Sequence, residues 1–371
     1  MAQITKDAAY NAVDPNDFPA MLNPGRYGQR TTAFDKIISA THDHFWDPLD
    51  KKYIDFAEPY DVTKETILPE EFFPIFHTRV GETMTREQKI KFANESTRWQ
   101  LSAILHGEQG ALALSASLCH VLRDPGAQEY AANQTREEAR HVTAFAAYIK
   151  ARWGTPLPCG ATLAALLTEM VGAPEVYKKI VGMQMLVEGL AMGAFATLYQ
   201  KSQDPLLRKL CQLVMTDEAF HHKFGKIWAD RTIPKLTKDE HNLVEDWAAQ
   251  CFQTLLFNLV NAEQMKVVYD SVGLDWQDAR AAIMEAFTDE HRREGMKQSA
   301  NIFRVLIKTL LNAGIITDRT RAFYGMYVDM DELKREGERM VGDDIAEEGI
   351  RYLQTVNFAD RSKGNALLAA E

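Results

Sequence analysis

The chain carries the same spaced set of glutamate and histidine residues twice. Glu108 is followed 30 positions later by Glu138 and then by His141, and Glu188 is followed at the same distances by Glu218 and His221. Residues three positions apart leave the same face of a helix. The repeat therefore predicts two helical hairpins related by a pseudo-twofold axis, each directing one Glu-x-x-His face and one further glutamate into a shared interior.

The residues one and two helical turns from Glu108 and Glu188 are predominantly apolar, which indicates that both carboxylates face the bundle interior. A buried carboxylate is costly unless it is paired, and two divalent cations would balance the charge of four carboxylates. One Glu-x-x-His alone is common on helix surfaces, but two with matched glutamates predict a dinuclear metal site. Its predicted ligands are Glu108, Glu138, His141, Glu188, Glu218 and His221. Mixed carboxylate and imidazole ligands suit iron or manganese, and they suit zinc or copper less well.

The body of the chain has the pattern of an all-α protein. Thr85 to Gln88 fits a capping box, and no proline follows until Pro125, which predicts one helix from Arg86 to about Leu122. Alternating β-branched runs with Asn-Gly or Asp-Gly turns do not occur. Further helices are predicted at about 34–45, 126–152, 160–171, 174–202, 204–230, 237–270, 275–313 and 331–356.

Proline distribution divides the chain into three parts. Seven of the 13 prolines lie before residue 80, so we expect residues 1–84 to form an irregular arm packed on the body. Residues 85–232 are the predicted four-helix bundle. Residues 233–371 are predicted to add helices to the same domain and to end in a flexible tail from Ser362.

Composition narrows the partners and the compartment. The net charge of −10 argues against nucleic acid or an anionic membrane as the main partner. The four cysteines form no Cys-x-x-Cys pair, which excludes a zinc ribbon or an iron–sulfur cluster of that pattern and suits a reducing compartment. We read no apolar run of the roughly 20 residues that a membrane helix needs, and the polar N-terminus is unlike a signal peptide. A cytoplasmic protein without a membrane span is expected.

Over residues 86–230 the six residues resemble the ligand set of the ferritin-like dinuclear non-haem iron carboxylate proteins, in which one glutamate from each of two helices joins a Glu-x-x-His from each of the other two. The resemblance implies a ferritin-like four-helix bundle that holds two iron ions, with manganese or a mixed manganese–iron centre as the alternative. Glu138 and Glu218 would bridge the two metals as the catalytic carboxylates. Glu108 with His141, and Glu188 with His221, would then be terminal ligands. In the oxygenase branch, an acid at the positions of Glu137 and Asp217 hydrogen-bonds a ligand histidine; ordinary helix-surface acids are the alternative.

Several positions separate the branches of this superfamily. The radical tyrosine of ribonucleotide reductase small subunits is replaced by Phe145, and the threonine typical of methane and toluene hydroxylases is replaced by Met192. The N-oxygenase branch carries a third histidine one turn before the last Glu-x-x-His. Val214 or Met215 occupies that position, so no third histidine ligand is expected.

The resemblance implies an oxygenase or hydroxylase of the monooxygenase type, which activates dioxygen to oxidise a C–H or N–H bond of a small hydrophobic or aromatic substrate. The chain has no Gly-x-Gly-x-x-Gly fingerprint and no cysteine cluster, so electrons would come from a separate reductase or ferredoxin. The helices outside the bundle favour a substrate chamber or a homodimer interface. Two alternatives stay open, a desaturase or oxidase acting on a carrier-bound acyl chain and a ferroxidase or metal-handling protein.

Overall fold

The structure of the chain is a computed structural model that describes residues 12–260, 262–288, 302–337 and 339–368. Within these ranges the regular secondary structure is helical, apart from one isolated antiparallel bridge between Ala12 and Leu122. The predicted all-α class is confirmed.

Four long helices form the bundle. They are α1 (Arg86–Val121), α2 (Pro125–Trp153), α3 (Val176–Lys201) and α4 (Pro205–Thr232). The hairpin of α1 and α2 packs on the hairpin of α3 and α4, and the rings of Tyr130 and Phe224 stack across this interface with their centroids 5.0 Å apart. The ferritin-like architecture implied by the two repeats is therefore present.

Local sequence signals fix where these helices begin. The capping box at Thr85 is formed in both directions, since Gln88 N donates to Thr85 Oγ1 and Thr85 N donates to Gln88 Oε1. The two hairpins close with the same pair of residues, an aspartate N-cap followed by proline. Asp124 accepts a hydrogen bond from Gly126 N, and Asp204 accepts one from Leu206 N.

Helix α3 is the most apolar helix of the bundle, and it changes its winding before Glu188. The stretch Ile180–Val187 is a π-helix between two α-helical parts. Such segments are rare and frequently lie at functional sites. By length and composition α3 could cross a membrane, which the search of the sequence for continuous apolar runs did not indicate. However, 72% of its most apolar 18-residue stretch is buried inside the protein, as in a core helix.

The N-terminal arm is mostly irregular and lies against the bundle. Its short helices are Phe18–Met21, Pro24–Tyr27, Asp35–Ala40 and Arg79–Thr83, with 3₁₀ turns at Thr32–Phe34, Glu70–Phe72 and Pro74–His77. Phe73 and Phe76 are buried against Phe92 of α1, and Trp46 is completely buried. The arm thus supplies part of the core.

The C-terminal helices cover the hairpin of α3 and α4. They include α5 (Lys238–Val260), α6 (Ile302–Asn312) and α7 (Asp343–Leu368). The other C-terminal helices are Lys266–Ser271, Trp276–Ala286, Asp318–Tyr324 and Met330–Arg335, with 3₁₀ turns at Ile233–Lys235 and Ala262–Met265. One further helix, Ala161–Gly172, lies between α2 and α3 in the chain. The prediction of one helix over 237–270 was wrong, because the helix ends at Val260 and a new one begins at Lys266. The helix predicted over 275–313 likewise ends at Ala286, although part of that span lies outside the described residues. The tail predicted from Ser362 is helical as far as Leu368, and residues 369–371 lie outside the described ranges.

Candidate metal centre

The six residues singled out by their spacing meet in the middle of the bundle. All are buried, with exposed fractions of 4% for Glu108, 2% for Glu188 and 0% for the other four. Their ligand atoms form two overlapping groups, in each of which the atoms lie within 4.8 Å of one another. The first group is Glu108, Glu138, His141 and Glu218, and the second is Glu138, Glu188, Glu218 and His221.

Glu138 and Glu218 belong to both groups and face both imidazoles. His141 Nδ1 lies 3.4 Å from Glu138 Oε2 and 3.2 Å from Glu218 Oε1. His221 Nδ1 lies 3.1 Å from Glu138 Oε1 and 3.3 Å from Glu218 Oε2. Each carboxylate therefore directs one oxygen to each half of the site, which is the arrangement of a bridging ligand.

Glu108 and Glu188 each belong to one half. Glu108 Oε2 lies 3.2 Å from His141 Nδ1, whereas Glu188 is grouped with His221. Burial, above all, raises the pKa of both carboxyl groups well above the usual range. The charges of Glu138 and Glu218 raise the two pKa values further, whereas His141 opposes the rise at Glu108 and His221 opposes it at Glu188.

The pKa values of Glu138 and Glu218 shift in the opposite direction to those of Glu108 and Glu188. Burial alone would raise the pKa values of Glu138 and Glu218, yet the neighbouring histidines lower both. Burial alone would lower the pKa values of His141 and His221, yet both are raised well above the usual value. The hydrogen bond with Asp217 has the largest raising effect on His141, and the charges of Glu138 and Glu218 have the largest on His221. This interior stabilises positive charge between the carboxylates.

Glu137 and Asp217 reach across to the opposite hairpin. Asp217 Oδ2 lies 2.8 Å from His141 Nε2, and Glu137 Oε2 lies 2.9 Å from His221 Nε2. A carboxylate at Nε2 holds a proton on that nitrogen, which leaves Nδ1, on the side of the glutamates, as the atom that would bind a metal. The alternative of surface acids was wrong for these two residues, which are 3% and 0% exposed.

Asp217 has further partners that sequence reasoning did not find. Trp46 Nε1 of the arm donates a hydrogen bond to Asp217 Oδ2 at 2.9 Å. The rings of Trp46 and His141 stack with their centroids 6.0 Å apart. Arg140 donates to both oxygens of Asp217, and His44 Nε2 lies 3.5 Å from Oδ1. Despite burial, the Arg140 guanidinium and the His141 hydrogen bond hold the pKa of Asp217 well below the usual range. Trp46 and His44 stand in an irregular segment far from the motifs, where no spacing could have indicated them.

Two buried glutamines border the Glu188 half. Gln134 Nε2 donates to Glu138 Oε1 at 2.9 Å and to Glu188 Oε1 at 3.3 Å. Gln184 is fully buried, and neither of its amide atoms has a hydrogen-bond partner among the described residues. Each glutamine stands four residues before a clustered glutamate on the same helix, a spacing that could have identified both.

Other flanking residues have different roles. His106 Nε2 forms a hydrogen bond with the carbonyl oxygen of Leu157 at 2.9 Å, outside the cluster. Val214 and Met215, at the place of the third histidine of N-oxygenases, are fully buried and apolar. The rings of Phe145 on α2 and Phe195 on α3 stack with their centroids 5.6 Å apart. The layer next to the cluster between these two helices is therefore aromatic.

The cluster fits two metal ions by two observations. Glu138 Oε2 and Glu218 Oε1 are buried, yet they accept no hydrogen bond from any described residue, which is a costly state for an ionised oxygen. The donor set of four carboxylates and two imidazoles is that of dinuclear carboxylate proteins built on four-helix bundles. These residues therefore suit a dinuclear iron site.

Comparison with known proteins agrees with this geometry. A search of curated proteins finds no match to the chain. The family described as p-aminobenzoate N-oxygenase AurF matches residues 28–310, which include most of the arm, all four bundle helices and the first C-terminal helices. This match covers far more than half of the chain. The chain belongs to the p-aminobenzoate N-oxygenase AurF family of oxygenases.

Proposed function

We propose that this protein holds two iron ions and uses dioxygen to oxidise the nitrogen of an aromatic amine. The observation that carries the proposal is the position of Glu138 and Glu218, each of which faces the Nδ1 atoms of both His141 and His221. The family match supports an oxygenase, and the printed name of the family supports the choice of nitrogen as the atom that is oxidised.

Each of the six residues has a defined place in this proposal. Glu138 and Glu218 would hold both ions, Glu108 and His141 would complete one half of the site, and Glu188 and His221 would complete the other. Bound iron would supply the redox chemistry that activates dioxygen. One oxygen atom would enter an N–H bond and the other would leave as water, with two electrons and two protons from outside the chain.

The protein's own groups keep the ligands in place. Asp217 and Glu137 fix the tautomer of the two histidines, and Gln134 donates to one oxygen each of Glu138 and Glu188. The Phe145–Phe195 stack and the buried Val214 exclude water on one side of the cluster. An apolar, aromatic surrounding of this kind suits a substrate with an aromatic ring.

The remaining parts of the proposal concern partners. Electrons come from a separate reductase or ferredoxin, and the chain works as a homodimer in the cytoplasm. Its four cysteines are unpaired, which suits a reducing compartment. Size-exclusion chromatography with light scattering tests the dimer, and single-turnover reduction by a ferredoxin tests the donor.

The central experiment uses iron-reconstituted protein, a chemical reductant, labelled dioxygen and p-aminobenzoate as the probe. We expect labelled oxygen on the nitrogen of the product and two irons per chain. His221→Ala should lose about one iron and the activity, whereas His120→Ala, a change at an exposed histidine of α1, should lose neither.

Other outcomes would contradict the proposal. Oxidised product without label would point to a desaturase or oxidase. Iron oxidation without an organic substrate, in a large assembly with many irons per chain, would point to iron handling. Full iron occupancy in His221→Ala would remove the assigned ligand set.

A further inference from the structure

A cavity of about 330 Å³ opens from the surface between α3, α4, α6 and the start of α7. Its most buried lining residues are the apolar Met185, Met192 and Ala219 together with the polar Thr309, and the side chain of His222 also faces it. Its mouth carries charged side chains of both signs, among them the exposed Lys223, Arg339 and Glu347.

The buried lining of this cavity stands on the same two helices as Glu188 and Glu218, although none of the six clustered residues lines the cavity itself. Ala219 directly follows Glu218 on α4. Met185 and Met192 stand one turn before and one turn after Glu188 on α3, and they are 1% and 2% exposed. Three lining residues therefore lie within about one helical turn of Glu188 or Glu218 along the chain, and Met192 stands between the cavity and the Glu188 side of the cluster.

The backbone of Gly342 lies against the ends of the Met192 and Met215 side chains. Gly342 has a φ of +94°, and a Cβ at this position would lie 2.3 Å from Met215 Cε and 3.2 Å from Met192 Cε. The positive φ favours glycine here, whereas the contacts that a Cβ would make are with the ends of two flexible side chains. Methionine is unbranched and flexible, so the Met192 thioether can change rotamer without any movement of the helices.

The dimensions indicate the size of the occupant. An apolar cavity of about 150 Å³ is enough for benzene, and pockets for small ligands begin near 300 Å³. A volume of about 330 Å³ thus accommodates one substituted aromatic ring. The apolar inner end and the charged mouth suit an amphipathic molecule that enters with its less polar end first.

We propose that this cavity is the entry chamber for the amine substrate and that Met192 is the residue that limits its size. This inference rests on the proposed function, because it assumes that an organic substrate has to reach the Glu188 and Glu218 side of the cluster. Met192 acts as a specificity-determining residue, and the substrate passes between α3 and α4 rather than along the axis of the bundle.

The test uses iron-loaded wild-type protein and three variants with aniline, p-aminobenzoate and 2-aminonaphthalene as probes. Met192→Ala enlarges the inner end, Met192→Trp fills it, and Asn312→Trp narrows the cavity from its outer wall on α6. Met326→Trp is the matched control, because Met326 is 65% exposed and does not line the cavity. Probe binding is measured by equilibrium dialysis, turnover by KM and kcat, and metal loading by iron analysis.

We expect Met192→Trp and Asn312→Trp to weaken p-aminobenzoate binding and raise its KM by about tenfold or more, at unchanged iron content. Met192→Ala should bind 2-aminonaphthalene better than the wild type does, by a similar factor. Met326→Trp should match the wild type throughout. If Met192→Trp does not fold, Asn312→Trp still tests the proposal, because Asn312 lies outside the four bundle helices and its replacement does not disturb their packing.

The proposal is overturned if both tryptophan variants bind the one-ring probes within about twofold of wild type, or if Met192→Ala shows no gain for the larger ring. It is also overturned if no probe binds the wild type. If the probes bind and respond to these variants but no labelled oxygen reaches the nitrogen, the chamber is supported and the proposed reaction fails.

Discussion

At the scale of single residues, each histidine of the cluster is oriented by an acid from the other hairpin. Asp217 of α4 bonds His141 of α2, and Glu137 of α2 bonds His221 of α4. This crossed pattern means that the two Glu-x-x-His motifs cannot be positioned independently. A change in the packing of one hairpin would reorient the imidazole of the other.

Replacing Asp217 by Asn should therefore weaken metal binding without removing a ligand. An amide can present its NH₂ group to Nε2 and so favour the wrong tautomer of His141, and it cannot neutralise Arg140. We expect the affinity of the His141 half for iron(II) to fall by about 10- to 100-fold, as measured by competition with a chromophoric chelator. Asp230→Asn, at an exposed position of the same helix, is the control. An affinity within twofold of wild type would show that Asp217 does not orient the ligand.

The sequence predicted these acids only through their position directly before Glu138 and Glu218. It did not predict that Trp46 and His44 complete the surroundings of Asp217. Both belong to the arm, and Trp46 is separated from Asp217 by 171 residues, so no local pattern connects them. Long-range hydrogen bonds of this kind become visible only when the chain is folded.

At the scale of elements, boundaries with a chemical signal were predicted well. The capping box at Thr85 and the Asp-Pro pairs before α2 and α4 mark helix starts in both the sequence and the structure. The break between Val260 and Lys266 has no proline or glycine in it, so the helical pattern runs on through it. The π-helix in α3 lies in a run that is apolar on all sides, which conceals any change of period.

Two glycines give opposite predictions for element stability. A Cβ on Gly81 of the arm would lie 2.3 Å from the carbonyl oxygen of Ile75 and 2.5 Å from Phe76 Cα, and backbone atoms cannot move aside cheaply. Gly81→Ala should lower the free energy of unfolding by about 1–3 kcal/mol. Gly107→Ala, in the middle of α1 with nothing within 4 Å of the added Cβ, should raise it by about 0.5–1 kcal/mol. Urea unfolding measures both, and equal effects of the two changes would contradict the assigned packing.

Glu245 of α5 links that helix to the segment that starts at Thr317. Its carboxylate is completely buried and accepts hydrogen bonds from Thr317 N and Oγ1, from Thr320 Oγ1 and from Arg319 Nε. Burial alone would raise the pKa of Glu245, but these donors lower it below the usual value. A lowered folded-state pKa contributes stability above the unfolded value of about 4.3, and this contribution is lost as the pH falls through the folded-state value.

Glu245→Gln should therefore destabilise the protein at pH 7 by about 1–3 kcal/mol, and the difference from wild type should shrink as the pH falls below about 4. Thermal unfolding over a series of pH values measures this. Glu348→Gln, at an exposed position of α7, should show neither effect. A difference that stays constant down to acid pH would mean that the charge of Glu245 does not contribute.

At the scale of the whole molecule, four carboxylates in one interior make stability depend on the metal. Burial, followed by the charges of Glu218 and Glu138, raises the pKa of Glu188, so ionising it in metal-free protein opposes folding increasingly as the pH rises above its unfolded value. Bound cations reverse this effect, because a ligand that binds only the folded state stabilises it by mass action. The charge balance that predicted the site from the sequence thus also predicts the stability of the folded chain.

The effect of Glu188→Gln on Tm, relative to wild type, should consequently have opposite signs in the metal-free and the iron-loaded protein. In metal-free protein at pH 7 it removes a disfavoured charge, so its Tm should equal or exceed that of wild type. In the presence of excess iron(II) without oxygen, wild type should gain more in Tm, because the variant lacks one ligand. Scanning calorimetry of both proteins with and without metal measures the reversal, and Glu169→Gln, at an exposed position outside the bundle, should follow wild type in both states. A variant that is less stable than wild type without metal, and that gains as much from iron, would show that Glu188 is an ordinary core residue.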